Sequence, residues 1–322
     1  MNQKPSSKKS AICISLVICT YNRADVFIDA LQTICKQTLD MSLFEVIIVD
    51  NNSSDNTAEI SKDFCRHYAN VRYFLETNQG LSFARNRGWN EARGKYVGYI
   101  DDDCKVPEQF LFVAHDIINQ KSPVAFGGPA LAFYNSTKPA WYKDSYGSHE
   151  PFDKPLILPN DKYYKIYGMN MFFRRSILRK FGGFDPKLGM IGGKVAYCEE
   201  TALLKNISEK IPEEYLYFDP ALYVYHLVQK ERMSARWFVT STVSLGKFSM
   251  QCAPLELPPN IDRLLLFKLI FRQAVIIVKD FARSILRRDR TLYPFYQNYL
   301  FERTYNHLLR LGRLVGHFEE LK

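Results

Sequence analysis

The stretch VGYIDDDCKVP, residues 97–107, joins a strand-like run to three consecutive aspartates. Val97, Tyr99 and Ile100 favour a β-strand, and the acidic residues follow directly. Adjacent carboxylates repel one another, and solvation alone does not require three in a row. The aspartates therefore lie against a metal ion or a basic side chain, or they form a plain acidic turn.

On either side of this stretch, apolar β-forming runs alternate with segments that have helical spacing. The predicted strands cover residues 12–20, 44–50, 71–77 and 95–103, and a predicted helix follows each of them. This alternation predicts an α/β fold with a mostly parallel central sheet flanked by helices. Ligands of such sheets bind at the carboxyl ends of the strands. Polar residues cluster at those ends, at positions 20–23, 50–52, 78–80 and 101–103.

The second half of the chain is less regular. Residues 170–181 predict a strand that runs into a short helix, and residues 199–210 predict a helix. Residues 215–228 predict one further strand that ends near His226.

Composition limits the class of protein and of partner. The chain has 322 residues, 47% of them apolar, with a net charge of +9. This charge favours an anionic partner, but no nucleic-acid-binding motif is present, so we expect no nucleic acid partner. Seven scattered cysteines show neither zinc-site nor disulfide spacing. With no visible signal peptide, we expect a cytoplasmic protein, either free or peripheral on the inner face of the membrane.

Seven segments together resemble the family 2 glycosyltransferases of the GT-A fold. They lie in order across roughly residues 12–250 and read ISLVICTYNRAD, FEVIIVDNNSSDNT, NQGLSFARNRGWNEARGKYVGYIDDD, YGMNMFFRR, FGGFD, CEETALL and YHLVQKERMSARWF. The resemblance implies a GT-A nucleotide-diphospho-sugar transferase fold. It also implies transfer of a sugar from a nucleotide diphosphate sugar to an acceptor hydroxyl, with inversion and with Mn²⁺ or Mg²⁺. The dinucleotide fingerprint GxGxxG is absent after the first strand.

The resemblance assigns a metal role to part of the acidic stretch. Asp103 is the expected direct ligand, and His226 is expected to complete the metal shell. Asp101 is expected on the ribose hydroxyls or on a metal-bound water, and Asp102 belongs to the nucleotide site without a fixed role. The alternatives are an acidic turn that caps the helix after Pro107 and an ordinary histidine at a strand end.

The resemblance also implies a nucleotide pocket. Tyr21 is expected beside the base, Asp50 on the N3–H of a uracil, and Arg85 on base or phosphate, so a UDP-sugar is favoured. The alternatives are a turn cap for Asp50 and a surface cation for Arg85. The remaining predicted nucleotide-binding residues are Thr20, Asn22, Arg23, Asn52 and Gly80.

Inverting transfer needs a carboxylate that accepts the proton of the acceptor hydroxyl. The predicted helix at 199–210 begins with Glu199 and Glu200, where the family usually has Glu-Asp. We expect Glu200 to be the base and keep Glu199 as the second candidate. The alternative is that both only stabilise the helix amino terminus. Asn170 is expected on the donor sugar or acceptor, and Trp141 on an acceptor ring, although a core tryptophan is equally consistent.

We predict a disordered tail at 1–10, a catalytic domain at 11–253 and a basic amphipathic helical appendage at 254–322. The catalytic domain comprises a nucleotide-binding half (11–120) and an acceptor-binding half (121–253). On a helix, Lys268, Arg272, Lys279 and Arg283 form one stripe. Residues 260–290 therefore contact an anionic membrane surface, the catalytic domain or, in a homodimer, a second subunit.

Three functions are consistent with these patterns. The first is an inverting, metal-dependent glycosyltransferase acting on a saccharide or lipid-linked acceptor, in polysaccharide, glycolipid or glycan biosynthesis. The second is a nucleotidyltransferase, although the expected Gly-rich basic loop does not follow the first strand. The third is a non-catalytic binding or scaffold protein on a transferase fold.

Overall fold

A computed structural model describes residues 12–192, 196–250, 255, 257–258 and 261–321. The predicted disordered tail at residues 1–10 lies outside this range. None of the helices in the described part of the chain is both long enough and apolar enough to cross a bilayer.

Eleven strands occur in the described residues, and they form two sheets. Their bounds are β1 Ile14–Thr20, β2 Phe44–Asp50, β3 Val71–Leu75, β4 Tyr96–Asp101, β5 Cys104–Lys105, β6 Ala125–Gly127, β7 Ala130–Phe133, β8 Leu156–Leu158, β9 Asn170–Arg174, β10 Leu216–Phe218 and β11 Val224–Leu227.

The large sheet has eight strands in the order β3-β2-β1-β4-β9-β6-β10-β8. The first four strands are parallel, while β9 runs antiparallel to both of its neighbours. The strands β1 and β2 are buried along nearly their whole length, as continuous apolar runs in a covered parallel sheet must be. The predicted α/β fold with a mostly parallel sheet is confirmed.

Helices cover both faces of this sheet. Their bounds are α1 Ala24–Ile34, α2 Thr57–His67, α3 Leu81–Glu91, α4 Phe110–Gln120, α5 Arg175–Phe181, α6 Glu199–Lys210, α7 Ala235–Ser249, α8 Arg263–Leu286, α9 Tyr296–Tyr299 and α10 Tyr305–Glu320. Leu16 of β1 packs in a core with Phe27 of α1, while the adjacent Val17 packs on the other face with Ala84 of α3. The helices α1 and α3 therefore lie on opposite sides of the sheet.

The single strand predicted over residues 215–228 is wrong. The chain forms β10 in the large sheet and then β11 in a second, three-stranded sheet of order β5-β11-β7. Between them the Asp219 carbonyl accepts the amide of Leu222, and a turn at Asp219-Pro220 interrupts the predicted strand. This break moves His226 out of the large sheet.

The helices after residue 234 pack on one another and on the catalytic region. The backbones of α7 and α10 approach closely at two glycines, and a Cβ on Gly312 would lie 2.0 Å from the carbonyl oxygen of Val243. A π-helical segment at Leu300–Thr304 connects α9 to α10. Within it, Phe301 stacks on Phe238 with ring centroids 3.8 Å apart and on Tyr146 at 4.6 Å. The C-terminal helices therefore contact the 141–146 segment.

Candidate active site

Strand register brings the predicted site residues to one edge of the large sheet. Thr20 at the end of β1 is paired with Asp50 at the end of β2. On the other side of β1, Cys19 is paired with Asp101 at the end of β4. The carboxyl ends of three parallel strands therefore meet, as the polar residues at those positions predicted.

The small sheet brings His226, from much later in the chain, to the same site. Just after Asp103, Cys104 of β5 pairs with His226 of β11, and the Leu227 amide donates to the Asp103 carbonyl over 3.1 Å. This antiparallel pairing brings His226 Nε2 to 3.4 Å from Asp103 Oδ1. The site therefore depends on residues separated by more than a hundred positions in the sequence.

Asp101, Asp103 and His226 form a candidate metal centre. Each offers one ligand atom, and these three atoms lie within 4.8 Å of one another. Asp103 Oδ1 is buried and accepts no hydrogen bond from the described residues. Carboxylate oxygens with one imidazole suit Mn²⁺, and a buried oxygen of this kind is suited to a cation. The residues therefore fit the divalent metal that the resemblance implies.

A basic side chain already lies against the aspartates. Arg23 contacts Asp102 Oδ1 at 3.0 Å and Asp103 Oδ2 at 2.7 Å. Arg232 follows His226 on a short 3₁₀ turn, and its guanidinium lies 3.9 Å from Asp103 Oδ2. Sequence reasoning did not assign Arg232, although the basic cluster after His226 in QKERMS was visible. These two arginines relieve the repulsion among the adjacent carboxylates.

Burial and these cations set the pKa values of the two buried aspartates. Burial raises the pKa of Asp102 to about 7, although Arg23 acts in the opposite direction. Burial also favours a raised pKa for Asp103, but His226, Arg23 and Arg232 together hold the pKa of this carboxyl below its usual range. Asp103 is therefore ionised over the whole neutral range, which a cation ligand requires.

Arg85 joins the metal edge to the start of α6. Its guanidinium is buried, donates to Glu199 and to the Gly168 carbonyl, and lies 3.6 Å from Asp101 Oδ1. The geometry shows a buried bridge between two carboxylates rather than a surface cation. Its predicted contact with base or phosphate remains a prediction.

Glu200 differs from Glu199 in its partners. Among the described residues, its carboxylate has one hydrogen-bond donor from another side chain, the Thr201 hydroxyl at 3.1 Å. Burial, reinforced by the negative charge of Glu199 and opposed by Arg85, raises the pKa of Glu200 to about 8. Glu200 therefore has the environment of a proton acceptor, whereas Glu199 is held by a guanidinium.

The loops on the nucleotide side are connected by their own side chains. Asp50 is buried and accepts the Ser53 amide at 2.8 Å and the Tyr73 hydroxyl at 3.0 Å. Asn22 Oδ1 accepts the Ser54 amide, and both Asn22 and Asn52 have positive φ angles. The turn-cap contact considered for Asp50 is thus present, and its contact with a base remains a prediction.

Asn51 holds the third loop in place, and sequence reasoning did not assign it. Its Oδ1 accepts the Gly80 amide at 2.7 Å, and its side-chain nitrogen donates to the Asn78 carbonyl. Gly80 has a φ of +144°, a conformation that other residues rarely adopt. The backbone conformation therefore explains why glycine stands at position 80, a predicted nucleotide-binding residue. Tyr21 lies half-buried in the loop that follows β1.

The two predicted sugar-binding residues lie in different surroundings. Asn170 is fully buried on β9, and its amide donates to the Leu222 carbonyl at 2.6 Å. Trp141 packs against Phe301 with ring centroids 5.3 Å apart, and its carbonyl accepts from Asn298. Both sugar contacts remain predictions, and the neighbours of Trp141 are the C-terminal helices.

Comparison with known proteins identifies the family. The sequence profile described as "Glycosyl transferase family 2" matches residues 15–182, which include the strand ends and all three aspartates. This chain belongs to glycosyltransferase family 2. It is therefore a glycosyltransferase that uses a nucleotide sugar, which disfavours both the nucleotidyltransferase and the non-catalytic scaffold.

Curated relatives agree with this family. The chain is 25% identical over 234 residues to a glucosyl-dolichyl phosphate glucuronosyltransferase of Haloferax volcanii. The aligned region covers 70% of this chain and 72% of that protein. It is 35% identical over 189 residues to glycosyltransferase AglE of the same organism, and this aligned region covers 58% of the chain and 60% of AglE.

Solved structures show the same fold. Staphylococcus aureus TarS residues 1–349 with UDP-GlcNAc has a TM-score of 0.57 at 17% identity and covers 95% of this chain and 90% of that one. The mannosyltransferase PcManGT of Pyrobaculum calidifontis with GDP-Man and Mn²⁺ has a TM-score of 0.58 at 15% identity and covers 94% and 85%. The predicted GT-A fold with its C-terminal helical region is confirmed.

Proposed function

We propose that this family 2 enzyme is an inverting, metal-dependent glycosyltransferase. It moves a sugar from a nucleotide diphosphate sugar, with a UDP-sugar favoured, to an acceptor hydroxyl in polysaccharide, glycolipid or glycan biosynthesis. The main support is the convergence of one ligand atom each from Asp101, Asp103 and His226 within 4.8 Å, where His226 Nε2 faces the buried Asp103 Oδ1 at 3.4 Å.

The three clustered side chains would hold the metal, Mn²⁺ or Mg²⁺. When bound, the cation supplies charge neutralisation for the diphosphate as it leaves. PcManGT, a structural neighbour with the same fold, was solved with Mn²⁺. Thr20, Tyr21 and Asp50 lie on the same strand edge and are the proposed base and ribose contacts.

Glu200 is the proposed base. The acceptor oxygen attacks the anomeric carbon, the bond from that carbon to the diphosphate oxygen breaks, and the acceptor proton passes to Glu200. Glu199 is the weaker candidate because its carboxylate is engaged by Arg85. Attack on the face opposite the leaving group inverts the anomeric centre.

The acceptor is proposed to be a saccharide or a lipid-linked molecule. One Haloferax volcanii relative is named as acting on a glucosyl-dolichyl phosphate, and we extend a lipid-linked acceptor of this kind to the present chain. For the donor, TarS was solved with UDP-GlcNAc and PcManGT with GDP-Man. Direct nucleotide binding is therefore the first experiment.

The test is calorimetric titration of UDP, GDP and dTDP, each with and without Mn²⁺. We expect one nucleotide to bind much more tightly with Mn²⁺, and Asp103→Asn to abolish this metal-dependent increase. Asp63→Asn is the matched control, since the half-exposed Asp63 carboxylate on α2 forms its ion pairs within the described residues with neighbours on that helix. A metal-dependent increase that survives in Asp103→Asn would contradict the metal site, and absence of binding by all three nucleotides would contradict the proposed donor.

A further inference from the structure

The helix α8 buries several polar residues against the protein and leaves large apolar residues exposed. Its buried residues include Gln273, Asp280 and Ser284. Gln273 donates to the His307 carbonyl of α10 at 3.1 Å, and Asp280 Oδ2 lies 3.7 Å from His307 Nε2. A helix that packs on a soluble core normally shows the opposite arrangement. The contacts with α10 therefore leave the apolar side of α8 without cover from the described residues.

This outward side, here called the outer face of α8, is apolar over most of its length. Phe271 is 65% exposed, Val278 67% and Leu286 78%. Single exposed apolar residues are common on protein surfaces, but a continuous row along a 24-residue helix is not. The other large exposed apolar residues of α8 are Leu264, Leu265, Phe267, Phe281 and Ile285.

The apolar surface continues into a cavity at one flank. Ile277 and Phe281 of α8, Val239 of α7 and Leu308 of α10 line an open cavity of about 310 Å³. Phe281 belongs both to the outer face and to this cavity. The apolar area is therefore larger than the helix alone.

A row of cations runs along the other flank. Lys268, Arg272, Lys279 and Arg283 are all exposed and fall within one stripe of α8. Arg283 reaches Asp280 at 3.5 Å, while the other three have no ion-pair partner among the described residues. Within α8 the only acidic residue, Asp280, is buried. The exposed charge of α8 is therefore entirely positive.

We propose that the outer face of α8 lies on an anionic lipid bilayer, parallel to its plane. Apolar side chains enter the boundary between headgroups and acyl chains, and the adjacent cations meet the anionic headgroups. A second copy of this chain fits less well, because apposed copies of α8 would bring cations together without exposed acids on the helix to pair with them. The charge pattern therefore selects the membrane surface.

Vesicle flotation of the full chain tests this assignment without any substrate. We expect binding to vesicles of phosphatidylcholine with 30% phosphatidylglycerol, and little binding to phosphatidylcholine alone. Lys268→Gln combined with Arg272→Gln and Lys279→Gln should weaken binding about 100-fold, because each cation near an anionic surface contributes about fivefold. Lys36→Gln with Lys62→Gln and Lys121→Gln removes three exposed lysines elsewhere and should leave binding unchanged.

The apolar contribution is tested separately. Phe267→Ser with Phe271→Ser and Val278→Ser should reduce binding at least tenfold, whereas Phe112→Ser with Ile157→Ser should not, although these two residues are also more than half exposed. Light scattering of the same proteins gives their oligomeric state. Absence of binding to anionic vesicles, or a dimer that the α8 serine substitutions convert to monomer, would overturn the proposal. Nucleotide titration is independent of either result, so a failure here leaves the proposed transfer reaction untouched.

Discussion

Single charged side chains determine what the three aspartates do. The Arg23 guanidinium contacts both Asp102 and Asp103. Asp103 thus has one oxygen held by a guanidinium and one that accepts no hydrogen bond from the described residues. The guanidinium and a divalent metal compete electrostatically at this carboxylate.

Arg23→Gln should strengthen metal binding to the nucleotide-free protein. Removing a positive charge 2.7 Å from Asp103 Oδ2 lowers the repulsion that an incoming Mn²⁺ experiences, and we expect about tenfold tighter binding. Electron paramagnetic resonance of free Mn²⁺ during titration measures this affinity. Arg66→Gln, at an exposed pair on α2, is the control. Unchanged or weaker binding in Arg23→Gln would show that Arg23 does not oppose the metal.

The raised pKa of Glu200 predicts the pH dependence of transfer. A base must be ionised, and with a pKa of about 8 the carboxylate is mostly protonated at neutral pH. We therefore expect kcat/KM to rise with pH, about tenfold per unit well below pH 8, and to level off above it. The initial rate of nucleoside diphosphate release between pH 5.5 and 9.5 measures this profile.

Variants at the same helix separate Glu200 from its surroundings. Glu200→Gln should lower kcat by about 10²–10⁴-fold. Glu200→Asp should keep a measurable rate, and the rise of kcat/KM with pH should move to a different pH. Glu209→Gln alters an exposed carboxylate on α6 and should keep the native profile. Full activity in Glu200→Gln would move the base elsewhere.

Pairs of elements, rather than single residues, hold the C-terminal helices together. The backbones of α7 and α10 also approach closely at Gly246, where an added Cβ would lie 2.2 Å from the Leu309 carbonyl oxygen. Only glycine permits this distance, although glycine is a poor helix former. The two helices therefore depend on close backbone packing more than on large side chains at this crossing.

Gly312→Ala should lower the free energy of unfolding. Overpacking against the Val243 carbonyl costs about 1–3 kcal/mol, which exceeds the gain of up to about 1 kcal/mol in helix propensity. Urea denaturation followed by circular dichroism measures the change. Asn306→Ala, at an exposed position of α10, should be neutral or slightly stabilising. If Gly312→Ala were as stable as this control, α7 and α10 could shift apart enough to accommodate the added methyl group without loss of stability.

For the whole molecule, the local pattern of the chain predicts individual strands and helices well. The strand at Phe44–Asp50 and the helix at Glu199–Lys210 match their predicted bounds, because periodicity and flanking polar residues mark them within the local sequence. The break between β10 and β11 falls at Asp219-Pro220, a turn signal that was not used, whereas the pairing of β11 with β5 was not predictable because β5 is a strand of two residues far earlier in the chain. The same long-range pairing brings His226 to Asp103.

The candidate site was only partly predictable for the same reason. Family motifs named Asp103, His226 and Glu200, but no local pattern shows that Arg85 would turn inwards to join Glu199 to Asp101. The basic stripe of α8 was visible in the sequence, but which side of the helix is buried depends on where His307 lies. Such pairings become visible only when both partners are placed in three dimensions.

The two-residue strand β5 has a consequence for how the chain folds. Its pairing with β11 closes a loop of more than a hundred residues, which costs chain entropy before any contact is regained. The parallel strands β1 to β4 are closer in sequence and can assemble without it. We therefore expect the small sheet to close late in folding, and the three-residue cation site is complete only after this closure. A partly folded molecule with an intact nucleotide-side sheet would lack the complete metal centre, so metal affinity reports on completion of folding.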